Sequence, residues 1–474
     1  MLRIGSILLL LSFASAAWAG PLNEHPCHIT GVETPVRCTT VSVPLDWSAP
    51  QGKHIDVTAV IAPALTSRPA EDPLVVLAGG PGQAASEMGP WLSSAFKDVR
   101  QTRDVVLFDM RGTGLSGKLD CAFDMTLGAD SMVRIRRDAA ACVARFGDDL
   151  RFYTHQEIVD DIDAWRAAAG IAKLNFWGGS FGTRIAQHYA RKYPAHTRAL
   201  VLDAATPVGM SIFESGPIDG QAALERLARD CDANKECATL APNFLARFDS
   251  LLAKAQQHPI EFDAPDARTG ELTHVSLDRD SVAGIVRGAL YASITRTLIP
   301  YAVVRAEGGD VRPFLAMSAA TNSWAADTQA IGMMFSIVCS EDVALSRRPG
   351  AVVSGGFMAD LYFRTFAVAC TDWPTKPFPL SMIQAMKIDR PALVISGDSD
   401  PVTPPRLGAL ALATFTSGVH AIVAGGLHTN SSRPCVAKII ASFVADPATG
   451  GRDHACLKHS TPPRFIVSAT GAPG

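Results

Sequence analysis

Residues 178–182 read Gly-Gly-Ser-Phe-Gly, a G-x-S-x-G pattern centred on Ser180. An apolar run at 173–177 precedes this pattern, and a helical periodicity at 181–192 follows it. Strand, turn and helix in this order are the context of a nucleophile elbow, a tight turn that exposes a serine hydroxyl. A glycine-rich strand end without chemistry is the alternative, and it does not account for both flanks. Because a serine is a weak nucleophile at neutral pH, the pattern predicts an acid and a histidine downstream.

Candidates for the acid and the histidine follow two predicted strands near the end of the chain. The run PALVISGDSDPVTPP contains Asp398 and Asp400, and the run HAIVAGGLH ends at His428. Residues just past the carboxyl ends of parallel strands meet where an open α/β sheet builds its site. We predict that His428 is the base, the alternative being a histidine on a surface loop. Asp400, closer to the loop apex, is predicted to orient the imidazole, while Asp398 braces the turn.

The stretch LVVLAGGPGQAA at 74–85 is predicted to supply part of an oxyanion hole. A glycine loop after a strand can present a main-chain N–H to a developing negative charge. The second donor of such a site is the N–H of the residue after the nucleophile. We therefore predict that the donors are Gly80 and Phe181, with Gly79 as the alternative to Gly80.

The same stretch also fits the G-x-G-x-x-A pattern of dinucleotide-binding folds, with Asp109 at the end of the next strand. Two observations count against that interpretation. Pro81 lies inside the turn and removes a main-chain donor that a pyrophosphate could use. The chain is also predicted to be exported, where nicotinamide cofactors are scarce. We expect no metal and no organic cofactor.

Arg111 lies in the run FDMRGTGLSG at 108–117, which follows the same strand. An arginine between an aspartate and a glycine-rich turn is most simply explained as half of a buried ion pair that holds the loops under the site. Direct contact with a substrate is the alternative.

Short β-branched runs alternate with helical patterns over most of the chain, which predicts an α/β fold with a mostly parallel sheet covered on both faces. The predicted strands lie at 55–62, 74–78, 105–109, 173–177, 199–203, 391–396 and 419–424. The alternation stops after 203 and resumes near 391, and helical runs at 220–229, 244–257, 281–306 and 326–338 fill the gap, with a polar stretch at 258–280. We therefore predict a core at 20–209 and 386–474 with an inserted, mainly helical cap at 210–385.

The bulk composition limits the partners of the protein. A chain of 474 residues with 47% hydrophobic content can bury a large core. A net charge of -3 offers no basic surface for a nucleic-acid backbone, so nucleic acid is not expected as a partner. After the first residues, no segment is apolar and long enough to predict a membrane span.

The first residues, MLRIGSILLLLSFASAAWAG, have the features of a signal peptide. They combine Arg3, an apolar run at 4–13 and the small-x-small sequence Ala17-Trp18-Ala19. A retained anchor is the alternative, but the apolar run is shorter than a membrane span. Residues 1–19 are therefore predicted to be removed, with the mature protein in the periplasm or the medium.

Export makes disulfides the simplest explanation of the ten cysteines, an even number that lies wholly in the mature chain. Sequence does not determine their connectivity. Pairing each cysteine with its nearest neighbour gives the bridges 27–38, 121–142, 231–237, 339–370 and 435–456. A zinc site is the competing idea, but no C-x-x-C is present.

Taken in order, five motifs resemble those of the prolyl-aminopeptidase-like α/β-hydrolases, above all their secreted tripeptidyl-aminopeptidase branch. They are Gly79-Gly80-Pro81-Gly82, Asp109-x-Arg111-Gly112-Thr113-Gly114-x-Ser116, Gly178-Gly179-Ser180-Phe181-Gly182, Gly397-x-x-Asp400-Pro401-Val402-Thr403-Pro404 and Gly425-Gly426-Leu427-His428. The resemblance extends to residues 43–47, to residues 338–342 and to Cys435 and Cys456. The chain departs from the pattern at Leu427, where relatives more often have glycine before the histidine.

The resemblance implies an α/β-hydrolase core under a helical cap, and release of one or a few residues from peptide N-termini through an acyl-enzyme. Such an enzyme has to bind the ammonium group of its substrate, for which Glu341 is the first candidate and Asp342 the second. Two alternatives stay open: an esterase or lipase of small acyl esters on the same triad, and a binding protein without activity. The sequence does not indicate an oligomeric state.

Overall fold

The computed structural model describes residues 20–124, 128, 130–265, 269–379, 383, 387–458 and 464–472. The predicted signal peptide, 1–19, lies outside the described residues. Among the residues described, no helix is long and apolar enough to cross a membrane.

A nine-stranded sheet forms the centre of the structure. Its strands are β1 (Asn23–Cys27), β2 (Val36–Pro44), β3 (His54–Ala62), β4 (Leu74–Leu77), β5 (Val105–Phe108), β6 (Leu174–Gly179), β7 (Thr197–Asp203), β10 (Ile388–Gly397) and β11 (Phe415–Val423), in the order β1-β2-β3-β5-β4-β6-β7-β10-β11. The pairs up to β3 with β5 are antiparallel, and the remaining pairs are parallel. All seven predicted strands are present, and the antiparallel β1 and β2 are additional.

Helices pack on both faces of this sheet, and others lie in the insertion between β7 and β10. They are α1 (Ser131–Phe146), α2 (His155–Ala168), α3 (Phe181–Lys192), α4 (Gln221–Asp232), α5 (Lys235–Leu240), α6 (Phe244–Gln257), α7 (Arg279–Ala289), α8 (Ser293–Glu307), α9 (Arg312–Thr328), α10 (Ile331–Ile337), α11 (Val343–Ser346), α12 (Leu361–Ala369), α13 (Pro405–Leu412) and α14 (Pro434–Ala445). The central strands are apolar and buried along their length because both faces are covered. Trp165 of α2 and Tyr189 of α3 pack in the cluster on one face, and Phe443 of α14 packs in the cluster on the other.

Residues 216–328, which we call the cap, have an apolar core of their own. Leu227, Phe248, Val286 and Phe314 belong to it, and Phe465 of the carboxyl-terminal segment is buried among them. In the segment that follows the cap, Phe357, Met358 and Leu361 belong to the same apolar core, whereas α10 and the later part of α12 pack into the core cluster of the sheet. The predicted domain boundaries at 210 and 385 stay predictions.

Three details of the insertion differ from the sequence prediction. The run 281–306 forms two helices, α7 and α8, with a break at 290–292. The run 326–338 spans the end of α9 and all of α10, with a break at 329–330. The polar stretch 258–280 contains an antiparallel hairpin of β8 (Ile260–Pro265) and β9 (Leu272–Leu277). Apolar periodicity identified the helical content but not the breaks, because helix-forming residues continue across them.

Five disulfides join the ten cysteines in the predicted pairs, Cys27–Cys38, Cys121–Cys142, Cys231–Cys237, Cys339–Cys370 and Cys435–Cys456. The nearest-neighbour pairing is therefore confirmed, and the zinc alternative is wrong for these cysteines. Five disulfides indicate a protein that folds in an oxidising compartment.

Candidate active site

Ser180 stands on a strained turn between β6 and α3. Its backbone has φ +51° and ψ −117°, outside the regions that side chains favour. The turn is possible because glycines surround it. A Cβ on Gly178 would lie 2.5 Å from the carbonyl oxygen of Gly182, and one on Gly182 would lie 2.1 Å from that of Leu77. The serine is thereby lifted from the end of a central strand, as expected of a nucleophile elbow.

His428 and Asp400 lie on the loops after β11 and β10 and contact each other. The His428 Nδ1 atom is 3.0 Å from Asp400 Oδ2 and 3.1 Å from Oδ1. Asp400 is buried and also accepts hydrogen bonds from the N–H of Val402 at 2.8 Å, and from the N–H and hydroxyl of Thr403 at 3.0 and 2.8 Å. Burial raises the pKa of Asp400, but His428 and these donors outweigh it and hold the pKa below its usual value. An ionised Asp400 can orient the imidazole with Nε2 directed away from it.

Asp398 lies near this pair and has other partners. Its Oδ1 atom accepts from the N–H of Gly425 at 2.9 Å, which joins the loops after β10 and β11. Its Oδ2 atom lies 3.4 Å from Arg226 of the cap. The contacts of Asp398 are those of a brace between loops and the cap.

Asp203, at the end of β7, connects the serine turn to the histidine loop. Its main-chain oxygen accepts from the N–H of Ser180 at 2.9 Å. Its Oδ2 atom accepts from the N–H groups of Asn430 and Ser431, both at 2.8 Å, and from the Ser431 hydroxyl at 2.5 Å. Burial raises the pKa of Asp203 more than these donors lower it. Asp203 was not among the predicted site residues, although its position at the carboxyl end of a strand was a usable signal.

The glycine loop after β4 lies against the serine turn. A Cβ on Gly79 would lie 3.1 Å from the Cβ of Ser180, and Gly80 has φ +107°. Phe181 is the first residue of α3, where main-chain N–H groups have no acceptor within the helix. The loop is also tied to the segment after the cap, because the N–H of Ala330 donates to the Gly82 oxygen at 2.8 Å. The two predicted donors thus belong to elements on either side of Ser180.

Glu341 and Asp342 lie in a π-helical turn, Val338–Asp342, and are both buried. Glu341 Oε1 is 2.7 Å from Nδ1 of His155, and Oε2 is 3.9 Å from Nη1 of Arg184. Asp342 Oδ1 is 3.3 Å from Nη2 of Arg184 and accepts from the N–H of Ile212 at 2.9 Å. Arg184 lies on α3, one turn after Ser180. Both acids are therefore linked to the helix that follows the serine through their ion pairs with Arg184. Their role in binding an ammonium group stays a prediction.

Arg111 forms the buried ion pair that the sequence predicts, but its partner is Asp161 of α2. The guanidinium donates to both Asp161 oxygens, at 2.7 and 2.6 Å, and to the carbonyl oxygens of Pro44, Leu45 and Phe152. Fully buried and paired, Arg111 is a structural residue, and the substrate-contact alternative is wrong.

The cap approaches the site through Tyr291, which follows α7. Its ring lies 5.3 Å from the His428 imidazole, centroid to centroid, in an edge-on arrangement. Tyr291 is 37% exposed, so the ring covers the histidine at a solvent boundary. No pattern in the sequence relates residue 291 to residue 428, because only the folding of the cap brings them together.

Two family models match the chain, one over the region that contains Ser180 and one over the region that contains Asp400 and His428. Residues 72–269 match the model described as the alpha/beta hydrolase fold, and residues 357–456 match the model described as TAP-like protein. The chain has the α/β-hydrolase fold. The carboxyl-terminal match covers β10, β11 and the loops that carry Asp400 and His428.

Curated relatives of the chain include peptidases and a carboxylesterase. A tripeptidyl aminopeptidase of Streptomyces coelicolor is 24% identical across 95% of this chain and 88% of its own. The serine protease Hip1 of Mycobacterium tuberculosis is 29% identical over 46% of each chain, and carboxylesterase B of the same species is 30% identical over 50% of this chain and 51% of its own. The resemblance to the tripeptidyl-aminopeptidase branch is confirmed, and the protein is a serine hydrolase.

Proposed function

We propose that this hydrolase is a serine exopeptidase that releases short N-terminal fragments, including tripeptides, through an acyl-enzyme. The observation that carries the proposal is the placement of the three predicted catalytic residues. Ser180 on a strained elbow and the His428–Asp400 pair lie at the same edge of the sheet, on the loops after β6, β11 and β10. The tripeptidyl aminopeptidase that matches nearly the whole chain supports a peptide as substrate.

In the proposed reaction, Ser180 Oγ attacks the carbonyl carbon of the scissile peptide bond while His428 Nε2 takes the hydroxyl proton. Asp400 stabilises the resulting imidazolium. The N–H groups of Gly80 and Phe181 donate to the oxyanion of the tetrahedral intermediate. The imidazolium then protonates the leaving amine, and the C–N bond breaks to leave an ester on Ser180. Water, deprotonated by His428, hydrolyses that ester and restores the serine.

Glu341 remains our first candidate for the substrate ammonium group, and Asp342 the second. Glu341 Oε2 is buried and has no hydrogen-bond donor among the described residues. An ammonium group would supply that donor. Its positive charge would also compensate for the negative charge of Glu341, whose Oε2 atom is 3.9 Å from Arg184. Asp342 is less able to accept a further hydrogen bond, because its carboxylate already pairs with Arg184 and accepts from the N–H of Ile212.

The disulfides support export, and we propose that the protein acts in the periplasm or the medium after residues 1–19 are removed. Amino-terminal sequencing of the mature protein tests this proposal. A mature chain that retains residues 1–19 would contradict it.

The activity is tested with unblocked peptides of three to eight residues and with their N-acetylated forms, with products identified by mass spectrometry. We expect fragments of uniform length from the N-terminus and a large loss of rate on acetylation. Ser180→Ala should abolish cleavage, and Asp400→Asn should lower kcat by about 10⁴-fold. Asp398→Asn is the matched control, since this aspartate does not contact His428. Equal cleavage of free and acetylated peptides would exclude an aminopeptidase.

An esterase of small acyl esters is the second candidate, because carboxylesterase B matches half of the chain. The same triad would cleave both kinds of bond. Comparison of kcat/KM for tripeptidyl p-nitroanilides and p-nitrophenyl butyrate separates the two functions. Ester hydrolysis without peptide cleavage would favour the esterase, and failure of a fluorophosphonate probe to label Ser180 would leave only a binding protein.

A further inference from the structure

Arg287 of α7 is a buried cation close to the triad that the proposed reaction does not use. It is 7% exposed, and its Nη1 atom has no hydrogen-bond partner among the described residues. A charge removed from water is unfavourable unless a group of opposite charge compensates for it. Arg287 therefore has an unused capacity to bind an anion.

Two acids interact electrostatically with Arg287, Asp219 and Asp400, and both have other hydrogen-bond partners. Asp219 pairs with Arg406 through two hydrogen bonds of 2.7 Å. Asp400 accepts from His428 and from the loop of residues 402 and 403. The guanidinium instead lies over the ring of Tyr291, with its carbon 4.8 Å from the ring centroid. No carboxylate among the described residues forms an ion pair with Arg287.

Tyr291 also contacts the imidazole of His428, with ring centroids 5.3 Å apart. One aromatic ring thus separates the guanidinium from the base. The distance from the guanidinium carbon to the centre of the imidazole ring is therefore at most the sum of these two distances. About three residues of extended chain cover such a span. A group one to three residues from the scissile bond can therefore reach Arg287.

We propose that Arg287 binds a carboxylate of the peptide substrate. This inference rests on the proposed peptidase function and names a feature of its substrates. A guanidinium pairs with a carboxylate through two parallel hydrogen bonds and discriminates strongly against a neutral amide. The carboxylate is either the C-terminal group of a short peptide or the side chain of an aspartate or glutamate close to the cleaved bond.

Two sets of peptides distinguish these sources. The first compares tetra-alanine with its C-terminal amide, and the second exchanges Asn for Asp at each position of an amidated tetrapeptide. We expect the wild type to prefer one carboxylate by about 10- to 100-fold in kcat/KM. Arg287→Gln should abolish that preference while cleavage of the neutral peptide continues, and Arg287→Lys should restore part of it.

Arg296 of α8 provides the matched control. It is a buried arginine of the same cap, 4% exposed, but it is paired with Asp230 at 2.6 Å. Arg296→Gln should leave the ratio of charged to neutral substrate unchanged, whatever it does to stability. The proposal would be overturned if the wild type cleaved the charged and the neutral peptide of every pair with equal kcat/KM. It would also be overturned if Arg287→Gln lowered kcat/KM equally for the charged and the neutral peptide.

Failure of the peptidase function itself has a separate outcome. If no peptide is cleaved but p-nitrophenyl butyrate is, the proposed function fails and the carboxylate site is measured by competition. N-acetyl-trialanine should then inhibit ester hydrolysis about 10-fold more strongly than its amide, and only when Arg287 is present. Equal inhibition by the acid and the amide would overturn the inference.

Discussion

Replacing Asp203 with alanine should disturb the site more than its distance in sequence from His428 suggests. The side chain holds two main-chain N–H groups of the histidine loop, those of Asn430 and Ser431, both at 2.8 Å. A buried donor left without an acceptor costs about 1–3 kcal/mol, so two donors should lower the free energy of unfolding by about 2–6 kcal/mol. The histidine loop can regain part of this free energy only by moving so that the two N–H groups donate to water.

That movement carries His428, two residues before Asn430, away from Ser180. A displacement of about 1 Å in a catalytic group costs about 100-fold in rate. We therefore expect kcat of Asp203→Ala to fall by about 100-fold, with KM changed much less, and labelling of Ser180 by a fluorophosphonate to slow in parallel. Asp203→Asn, which keeps one oxygen, should lose less activity.

The assay combines steady-state kinetics with urea unfolding of each variant. Asp72 provides the control, because it also has three partners, Asn175, Arg103 and Arg198, but lies at the amino end of β4. Asp72→Ala should lower stability and leave kcat close to the wild-type value. A destabilised Asp203→Ala with normal kcat would refute the positioning role, as would an equal fall of kcat in Asp72→Ala.

Three further predictions concern the elbow, the cap and a disulfide. Gly182→Ala places a Cβ 2.1 Å from a carbonyl oxygen of β4, so fluorophosphonate labelling of the folded protein should be lost. Burial raises the pKa of Asp219 to about 6, so its contribution to stability is complete below the unfolded value of 3.8 and is lost as the pH rises through 6. Between pH 4 and 7, Asp219→Asn should therefore gain up to about 3 kcal/mol of unfolding free energy relative to the wild type; a constant difference in urea unfolding would contradict this. Joint replacement of Cys339 and Cys370 by serine should cost about 2–5 kcal/mol in the same assay, and an unchanged midpoint would show that the bridge is dispensable.

Local sequence was sufficient to predict the turn that carries Ser180 and the pairing of the cysteines. The apolar run before Ser180, the glycines around it and the periodicity after it define strand, turn and helix without help from the rest of the chain. The five disulfides also follow local sequence, since each joins cysteines 6 to 31 positions apart. The order of the serine, the acid and the histidine then left Asp398 and Asp400 as candidate acids and His428 as the base. The catalytic roles of these residues stay predictions.

Tertiary structure decided every contact between distant segments. Periodicity cannot indicate that Asp203 supports residues 430 and 431, that Arg111 pairs with Asp161, or that Tyr291 covers His428. The acids at 341 and 342 illustrate the same limit, because their sequence shows two negative charges and only packing shows that Arg184 and His155 offset them. A side chain's chemistry depends on burial and on its neighbours, and both are set by how the sheet and the cap pack together.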